Sequence, residues 1–196
     1  MSARRFRALF NGRDLAGWRH VGAGRFVVES GLLVAEGGMG LLWYHRERFD
    51  QALLRVVYRV PTRDDNSGVF VRLPAGPNDP WEAVDGGYEV QIHEAADSDL
   101  YCTGALYSFA PATARPGRVG EWNVLEIALE QRRTAVTLNG VPVCAYTEGD
   151  PVPRRRQDSD PRRGPRPLAG FIGLQNHAPG ETAQFREVAV GPLGGA

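Results

Sequence analysis

Residues 134–146 read TAVTLNGVPVCAY, two short apolar-rich runs that meet at Asn139 and Gly140. The pair Asn-Gly readily adopts the two positive φ values of a type I′ turn, whose twist matches that of two antiparallel strands. The stretch therefore predicts a β-hairpin, and the rest of the chain can be interpreted from this element outward.

The remaining chain has the same character, because short apolar or alternating runs are separated by turn residues and no segment carries a sustained helical period. The predicted strands cover residues 25–30, 31–36, 41–45, 51–60, 67–73, 86–94, 103–109, 121–130, 133–139, 141–146, 170–177 and 183–191. So many strands in 196 residues indicate an all-β protein. Their lengths favour a sandwich of two antiparallel sheets over a closed barrel, and we expect a single domain over residues 1–196.

The charges of the chain balance, with 23 basic and 23 acidic residues, and every basic residue is arginine. There is no net field to draw the chain to nucleic acid or to an anionic membrane, so a small neutral ligand is the expected partner. The first residues carry positive charge, but no apolar run follows them. This pattern argues against a signal peptide and against a membrane span, and it favours a cytoplasmic location. Cys102 and Cys144 are expected to be reduced thiols.

Residues 147–167 read TEGDPVPRRRQDSDPRRGPRP, with five prolines, six arginines and almost no apolar residue. Such a segment, called the Arg/Pro segment below, cannot bury enough surface to form part of a core. Two interpretations stay open. It is either a solvated loop between two strands, or an arm whose arginines contact a partner chain or an anionic group of a ligand.

The stretch GGYEVQIHE, residues 86–94, alternates apolar and polar residues. Successive side chains of a strand point to opposite faces, so one face bears the apolar side chains and the other bears Glu89, Gln91 and His93. The second face is either ordinary solvated surface or a ligand site.

Two other predicted strands show a similar polar face, which carries Arg72 on one strand and Gln175 with His177 on the other. Solvated sheet faces usually carry lysine, threonine, serine and glutamate, whereas these faces carry glutamine, histidine, arginine and a single glutamate, which make directed hydrogen bonds, and no lysine. If the three strands are neighbours, their common face suits a sugar, because hydroxyl groups need planar donors and acceptors.

Aromatic side chains would complete such a site, because the apolar faces of a pyranose stack on tryptophan or tyrosine. Trp81, Tyr107 and Trp122 are the candidate platforms. Trp18 and Trp43 lie in the N-terminal part of the chain and are expected in the core.

Other chemistries find little support. The chain has no serine nucleophile elbow, no phosphate-binding loop and no HExxH motif, so no metal or cofactor is expected. Asp64 and Asp65 could bind calcium, although a hairpin loop explains them equally well. Glu89 and Glu94 are five residues apart and fall on opposite faces of a regular strand, which disfavours a glycosidase with two carboxylates and favours one base with polar helpers.

At this point a resemblance to a known family emerges. The motifs LFNGRDLAGW, NSGVFVR, GYEVQI, TGALY, GEWN, LNG and GLQNH…FREV resemble, in this order, those of the 3-keto-disaccharide hydrolase domain family. The resemblance spans about residues 10–190. It implies a concanavalin A-like jelly-roll sandwich, similar to laminarinase-type glucanases, whose polar sheet face is the substrate groove.

The resemblance also implies an activity, the cleavage of glycosides whose C3 hydroxyl has been oxidised to a ketone by a partner sugar dehydrogenase. A base removes the acidified C2 hydrogen, the aglycone is eliminated from C1, and water adds afterwards. The implied catalytic residues are Glu89 as the base, Gln91 as a donor to the keto oxygen and His177 as the acid. The implied substrate-binding residues are Asn66, Arg72, Tyr107 and Gln175, of which Arg72 is a second donor to the keto oxygen. His93, from the polar face of its strand, and Trp122, from the aromatic platforms, complete the predicted substrate-binding set.

Two alternatives remain at the sequence level. The same sandwich could be a carbohydrate-binding, lectin-like domain, but Glu89, His93 and His177 together exceed what binding alone requires. The chain could also be a structural partner of an oxidoreductase that docks through the Arg/Pro segment. The chain departs from the family pattern at His93-Glu94 and at Asn176, where many relatives carry Leu-Asp and an aspartate, and this predicts its own substrate specificity.

Overall fold

The computed structural model describes residues 5–193, which form two antiparallel sheets and one short helix. In chain order the strands are β1 (Arg7–Ala8), β2 (Trp18–Gly22), β3 (Arg25–Glu29), β4 (Leu32–Glu36), β5 (Gly40–Phe49), β6 (Gln51–Arg59), β7 (Asn66–Leu73), β8 (Tyr88–His93), β9 (Asn123–Glu130), β10 (Arg133–Leu138), β11 (Val141–Thr147), β12 (Gly170–Asn176) and β13 (Thr182–Gly191). Helix α1 (Pro80–Gly86) lies between β7 and β8.

The larger sheet has the strand order β11-β10-β9-β6-β13-β4-β3, with β1 paired to β13. The smaller sheet has the order β2-β5-β12-β7-β8. Non-consecutive strands therefore lie side by side in both sheets, and the predicted all-β sandwich is confirmed.

The hairpin of β10 and β11 forms as predicted. Asn139 and Gly140 have φ values of 50° and 80°, so both central residues take the left-handed conformation that a type I′ turn requires. The Asn139 side chain also accepts a hydrogen bond from Val124 N at 2.9 Å, which ties the turn to the start of β9.

The main core lies between the two sheets and receives the apolar face of β8, with Tyr88, Val90 and Ile92 all fully buried. A second apolar cluster lies on the opposite face of the smaller sheet, beneath helix α1. It contains Leu41, Trp43, Phe70, Leu73, Ala83 and Val84. Trp18 packs in the main core and Trp43 in the second cluster, so both are buried as predicted.

Helix α1 is absent from the sequence prediction because it is too short to show a helical period. Its start is nevertheless specified locally, since the Asp79 side chain accepts a hydrogen bond from Trp81 N at 2.7 Å and Pro80 occupies the first turn. The helix covers one end of the smaller sheet and leaves the other end open.

The predicted strand at residues 103–109 is wrong. This stretch consists of turns, with isolated bridges from Leu106 to Val90 and to Ala110. Ser108 has a φ of 62°, and such a left-handed residue interrupts an extended strand. Periodicity misses this because the apolar residues here pack as a folded-back loop on the edge of β8.

Strand β7 carries a β-bulge near its end. Between the pairs Phe70–Gly173 and Leu73–Phe171, two residues of β7 oppose one residue of β12. Arg72 is one of the two and has a φ of 58°. The extra residue reverses the alternation, so Leu73 joins Phe70 in the cluster beneath helix α1 and not the opposite face that the alternation predicts.

The Arg/Pro segment has no strand or helix, yet its arginines order it. Arg163 donates to Ser108 O at 3.0 Å and to Pro153 O at 2.9 Å. Arg166 is buried and donates to Gly87 O at 2.9 Å. These guanidinium groups satisfy backbone carbonyls that have no ladder partner, so hydrogen bonds order the segment although most of its residues are exposed.

Cys102 and Cys144 are both buried and free, in agreement with the predicted reduced thiols. Over residues 5–193, no helix has the length and apolar character needed to cross a membrane.

Candidate active site

A cavity of about 670 Å³ opens on the face of the smaller sheet that points away from the main core. Strands β7, β8 and β12 form its floor, helix α1 forms one wall, and loops form the other. The lining residues are Met39, Asn66, Trp81, Val84, Glu89, Gln91, His93, Ala95, Ala96, Asp97, Ser98, Tyr101, Tyr107, Gln157, Ser159, Gln175 and His177.

Strand β8 contributes Glu89, Gln91 and His93 to the floor. The alternation that buries its apolar side chains in the main core turns these three to the opposite face, as the sequence predicts. The strand therefore sets the spacing of the polar groups, and the core behind it holds them in place.

The neighbouring strands bring further predicted residues to the same floor. Asn66 of β7 pairs with His93 of β8, and Gly68 pairs with Gln91. On the other side of β7, β12 carries Gln175 next to Leu174, which pairs with Val69. The predicted neighbourhood of the three polar strands is thus present.

Glu89 is the most perturbed titratable group of the cavity. Its side chain is only 6% exposed and lies across Gly68, where an added Cβ would overlap the carboxylate. Burial raises the pKa of Glu89 to about 8. At neutral pH the group thus lies close to the midpoint of its titration, which suits proton transfer.

Three buried oxygens of the floor have no hydrogen-bond partner among residues 5–193: Glu89 Oε1, Asn66 Oδ1 and Gln175 Oε1. Buried polar atoms are normally paired, because an unpaired one costs roughly 1–3 kcal/mol. All three oxygens can accept a hydrogen bond, and the Glu89 carboxyl can also donate one when it is protonated. The floor is therefore prepared for a ligand rich in hydroxyl groups.

Two histidines lie at the end of the floor away from Glu89. His177 Nδ1 is 2.7 Å from Glu181 Oε2, so the carboxylate orients the ring and leaves Nε2 for other contacts. Burial lowers the pKa of His93, which favours its neutral form. The floor thus carries one imidazole, His177, whose ring a carboxylate orients, and a second, His93, that favours its neutral form.

Aromatic side chains stand on both walls. Trp81 of helix α1 is 50% exposed, although large aromatic residues are usually buried. On the opposite wall the rings of Tyr101 and Tyr107 make an edge-to-face contact with a centroid distance of 5.1 Å. Burial raises the pKa of Tyr107, so its hydroxyl stays protonated near neutral pH.

Arg72 does not reach the cavity, which corrects its prediction as a substrate-binding residue. The bulge of β7 turns its side chain to the other sheet, where Nε donates to Thr134 Oγ1 at 3.1 Å. The guanidinium also donates to Arg133 O at 3.1 Å and to Leu168 O at 2.7 Å. Arg72 thus makes buried hydrogen bonds between the two sheets, a role that the alternation of side chains does not predict.

Trp122 also lies outside the cavity, so its prediction as a substrate-binding residue is wrong. It precedes β9 of the larger sheet, where the guanidinium groups of Arg59 and Arg186 each lie 4.7 Å from the ring centroid. Cation–π contacts with two arginines hold the ring at the larger sheet, away from the cavity.

Of the three positions at which the chain departs from the family pattern, one lines the cavity and two do not. His93 lines the cavity, whereas Glu94 is outside it and lies against Gly117. Asn176 is buried and donates from Nδ2 to Glu36 O at 2.5 Å, so this position contacts the end of β4 and not a ligand.

Several residues of the cavity, and Glu181 beside it, were not predicted from the sequence. Glu181 follows His177 by four residues across a Pro-Gly turn, and this spacing is a usable signal for an oriented imidazole. Tyr101, Gln157 and Ser159 come from irregular loops, for which periodicity gives no direction. Within the described part of the chain, no group of three or more histidine, cysteine or carboxylate side chains has the arrangement of a metal site.

The comparisons with known proteins agree with this architecture. A family model described as the 3-keto-alpha-glucoside-1,2-lyase-like domain matches residues 5–191. A comparison with curated proteins gives no match.

Solved structures share the fold at low sequence identity. Two structures of candidate glycosyl hydrolases from Parabacteroides distasonis have 18% and 21% identity, each with a TM-score of 0.75. The matches cover 96% of this chain and 94% and 100% of theirs. A Bacillus subtilis protein with a galectin-like fold has 14% identity and a TM-score of 0.67, covering 96% of this chain and 98% of that one. These similarities confirm the jelly-roll sandwich.

Proposed function

The chain belongs to the 3-keto-alpha-glucoside-1,2-lyase-like family, and on this premise we propose that it cleaves 3-keto-glycosides by elimination followed by hydration. The family supports a carbohydrate-active domain, and the polar floor with its unpaired oxygens supports a hydroxyl-rich ligand. The C3 ketone must come from an earlier oxidation of the glycoside, which is the task of a sugar dehydrogenase.

The proposed reaction needs one base and one acid. The ketone at C3 acidifies the hydrogen at C2, and a base removes it to give an enolate. The enolate electrons form the C1–C2 double bond while the bond from C1 to the aglycone oxygen breaks. That oxygen takes up a proton, and water then adds to the unsaturated ketone to give the free 3-keto sugar.

Glu89 is the proposed base, and its burial is the observation that carries the proposal. A carboxylate in a low-dielectric cavity is poorly solvated and has a pKa near 8, so its ionised form is a stronger base than an exposed glutamate. The side chain also lies on the cavity floor beneath the space where a sugar ring fits.

Gln91 and Gln175 are the proposed donors to the enolate oxygen at C3. Gln91 Oε1 accepts a hydrogen bond from Ile92 N at 3.2 Å, which fixes the amide so that its NH₂ group is the part free to donate. Gln175 takes the place of Arg72, whose guanidinium is committed to the other sheet. Such fixed donors stabilise negative charge that develops in the transition state.

His177 is the proposed acid for the leaving aglycone. In this role its Nδ1–H donates to Glu181 Oε2 and its Nε2–H supplies the proton. Asn66, His93 and Tyr107 line the same cavity and are the proposed sugar contacts, with Trp81 as an exposed stacking surface.

An aryl 3-keto-α-glucoside and the corresponding unoxidised glucoside test the proposal. We expect release of the phenol from the oxidised glycoside only, and we expect Glu89→Gln to lower kcat at least about a hundredfold because the amide cannot accept the proton. Isothermal titration of Glu89→Gln with the intact substrate would show that binding is retained.

Release from neither glycoside, together with binding of sugars by the wild type, would instead indicate a lectin-like domain. Full activity of Glu89→Gln would remove the assignment of the base while leaving the reaction in place.

A further inference from the structure

The edge strands of the two sheets differ in what covers them. Loop residues 103–107 bond to the edge of β8, as in the hydrogen bond from Tyr107 N to Glu89 O at 2.8 Å. At the edge of β11, Thr113 N donates to Val143 O at 2.7 Å. Strand β3 ends the larger sheet on the side opposite β11. Among residues 5–193, no backbone hydrogen bond joins β3 to a loop, so its outer edge is open.

The free hydrogen-bonding groups of β3 follow from the turn that joins it to β4. This turn has two residues, with φ values of 51° and 81°, so Glu29 and Leu32 on either side of it form a hydrogen-bonded pair. Such pairs alternate with non-hydrogen-bonded pairs along an antiparallel ladder. The backbone N–H and C=O groups of Phe26 and Val28 therefore point away from β4, toward the open edge.

The outward side chains of β3 carry opposite charges at the two ends of the strand. Arg25 and Glu29 are exposed and Val27 is half-buried between them, while the other two side chains pack in or against the main core. Arg25 donates to Glu36 Oε1 at 2.5 Å, but its side chain is still 70% exposed. Glu29 forms no ion pair within the described residues. Its carboxylate is therefore available to a second chain.

Natural proteins usually protect an open edge strand with a lysine, a proline, a bulge or an inward-pointing charge. Strand β3, with the sequence RFVVE, has none of these, and its ladder with β4 runs without a register shift. The strand instead complements itself. When two copies pair in antiparallel orientation about Val27, Arg25 of each copy lies opposite Glu29 of the other. The free backbone groups of Phe26 and Val28 then meet as hydrogen-bonded pairs.

We propose that β3 joins two copies of this chain into a dimer, with one continuous sheet across a two-fold axis at Val27. A contact of this kind uses the same edge of both copies, so it closes at two. Strand β2, the edge of the smaller sheet, has the sequence WRHVG, which offers no carboxylate for such a pairing. The inference is independent of the proposed reaction, because β3 contributes no residue to the cavity.

Reversal of the charges tests the pairing, with the dimer dissociation constant measured by sedimentation velocity over a concentration series. We expect the wild type to dimerise. Arg25→Glu and Glu29→Arg should each raise the Kd at least about tenfold, because like charges then face each other at both ends of the contact. An equimolar mixture of the two variants should recover the association of the wild type, since every facing pair in the mixed dimer again joins opposite charges.

The double variant Arg25→Glu with Glu29→Arg should also dimerise like the wild type. It does not restore the bond between position 25 and Glu36 of the same chain, so its recovery reports the contact between chains. Arg132→Glu is the control for net charge. This exposed residue lies in the turn between β9 and β10, far from β3 along the sheet, and its change should leave the Kd unaltered.

A wild type that stays monomeric up to its solubility limit would overturn the inference. A dimer whose Kd neither charge reversal changes would overturn it as well, because the contact would then lie on another surface. The same holds if both reversals weaken the dimer but the mixture does not restore it, since pairing about Val27 requires that recovery. Thermal unfolding of each single variant, followed by circular dichroism, verifies that the monomers are folded.

Discussion

Glu89 links the proposed catalysis to pH through its burial. Because the base must be ionised and burial raises its pKa to about 8, we expect kcat/KM to rise about tenfold per pH unit below that value. For a 4-nitrophenyl leaving group, which does not need the proton of His177, the rate should level off above about pH 8. A profile measured with 4-nitrophenyl 3-keto-α-glucoside checks this, and a rate that falls through the same region would identify Glu89 as the acid.

The same carboxyl makes stability depend on pH. The folded protein keeps this proton up to about pH 8, whereas the ordinary value of the side chain is 4.5, so between these values the folded state binds more protons. The free energy of unfolding therefore falls as pH rises through this window and is fully reduced above it.

We expect Glu89→Gln to remove this dependence. Relative to the wild type, the variant should gain roughly 3–4 kcal/mol in free energy of unfolding between about pH 5 and pH 9, from the size of the pKa shift. Urea denaturation at both pH values measures it. If the difference in free energy of unfolding between the variant and the wild type is the same at both pH values, the Glu89 carboxyl is well solvated in the free protein.

Glu181 is a positioning residue for His177, with which it shares a 2.7 Å contact. We expect Glu181→Gln to lower kcat about tenfold for a phenyl leaving group, which needs a proton, and much less for a 4-nitrophenyl leaving group, which does not. A loss of equal size for both leaving groups would show that Glu181 only supports the fold.

At the scale of elements, Gly68 on β7 makes room for the Glu89 carboxylate of β8. An added Cβ would lie 2.8 Å from Glu89 Cγ and Cδ, and a flexible side chain can move away from such a contact. We expect Gly68→Ala to lower kcat at least about tenfold while the melting temperature changes by only a few degrees.

Steady-state kinetics with the aryl 3-keto-α-glucoside and thermal unfolding of the same sample measure the two effects. Wild-type kinetics of Gly68→Ala would show that the proposed base does not depend on this close approach.

The regular parts of the site follow from the sequence. Alternation along β8 predicts that Glu89, Gln91 and His93 share a face, because the strand is straight and its other face meets the core. The same rule fails for Arg72, where one extra residue reverses the alternation. Nothing in the sequence of β7 indicates this bulge, because arginine rarely adopts the left-handed conformation that Arg72 has here.

Irregular elements set the limit of the sequence prediction. The stretch around Ser108 has the composition of a strand, but its fold depends on a tertiary contact with β8. The Arg/Pro segment has the composition of a disordered loop, and its order comes from hydrogen bonds to carbonyls far along the chain. Composition and periodicity carry no information about either.

At the scale of the whole molecule, Arg166 joins the Arg/Pro segment to the sandwich. Its guanidinium donates to Gly87 O and Gly164 O at 2.9 Å and to Arg162 O at 2.8 Å, and it packs over the rings of Tyr88 and Phe109. We expect Arg166→Met to lower the free energy of unfolding by about 3 kcal/mol, because the thioether cannot replace the three hydrogen bonds.

Urea denaturation measures this loss, with Arg154→Met as the control. Arg154 is exposed on the same segment, so its substitution should change the free energy of unfolding by less than about 0.5 kcal/mol. Equal stabilities of the two variants would show that the segment is not anchored through Arg166.

Because these anchoring side chains are arginines, the fold of the segment and the charge of the proposed base respond differently to pH. A guanidinium group keeps its proton at every pH at which the protein would be assayed, so the donors through which Arg163 and Arg166 anchor the Arg/Pro segment do not titrate. The floor of the cavity does titrate, through a carboxyl with a pKa of about 8. Acidity can therefore switch the proposed base on and off while these anchors stay in place.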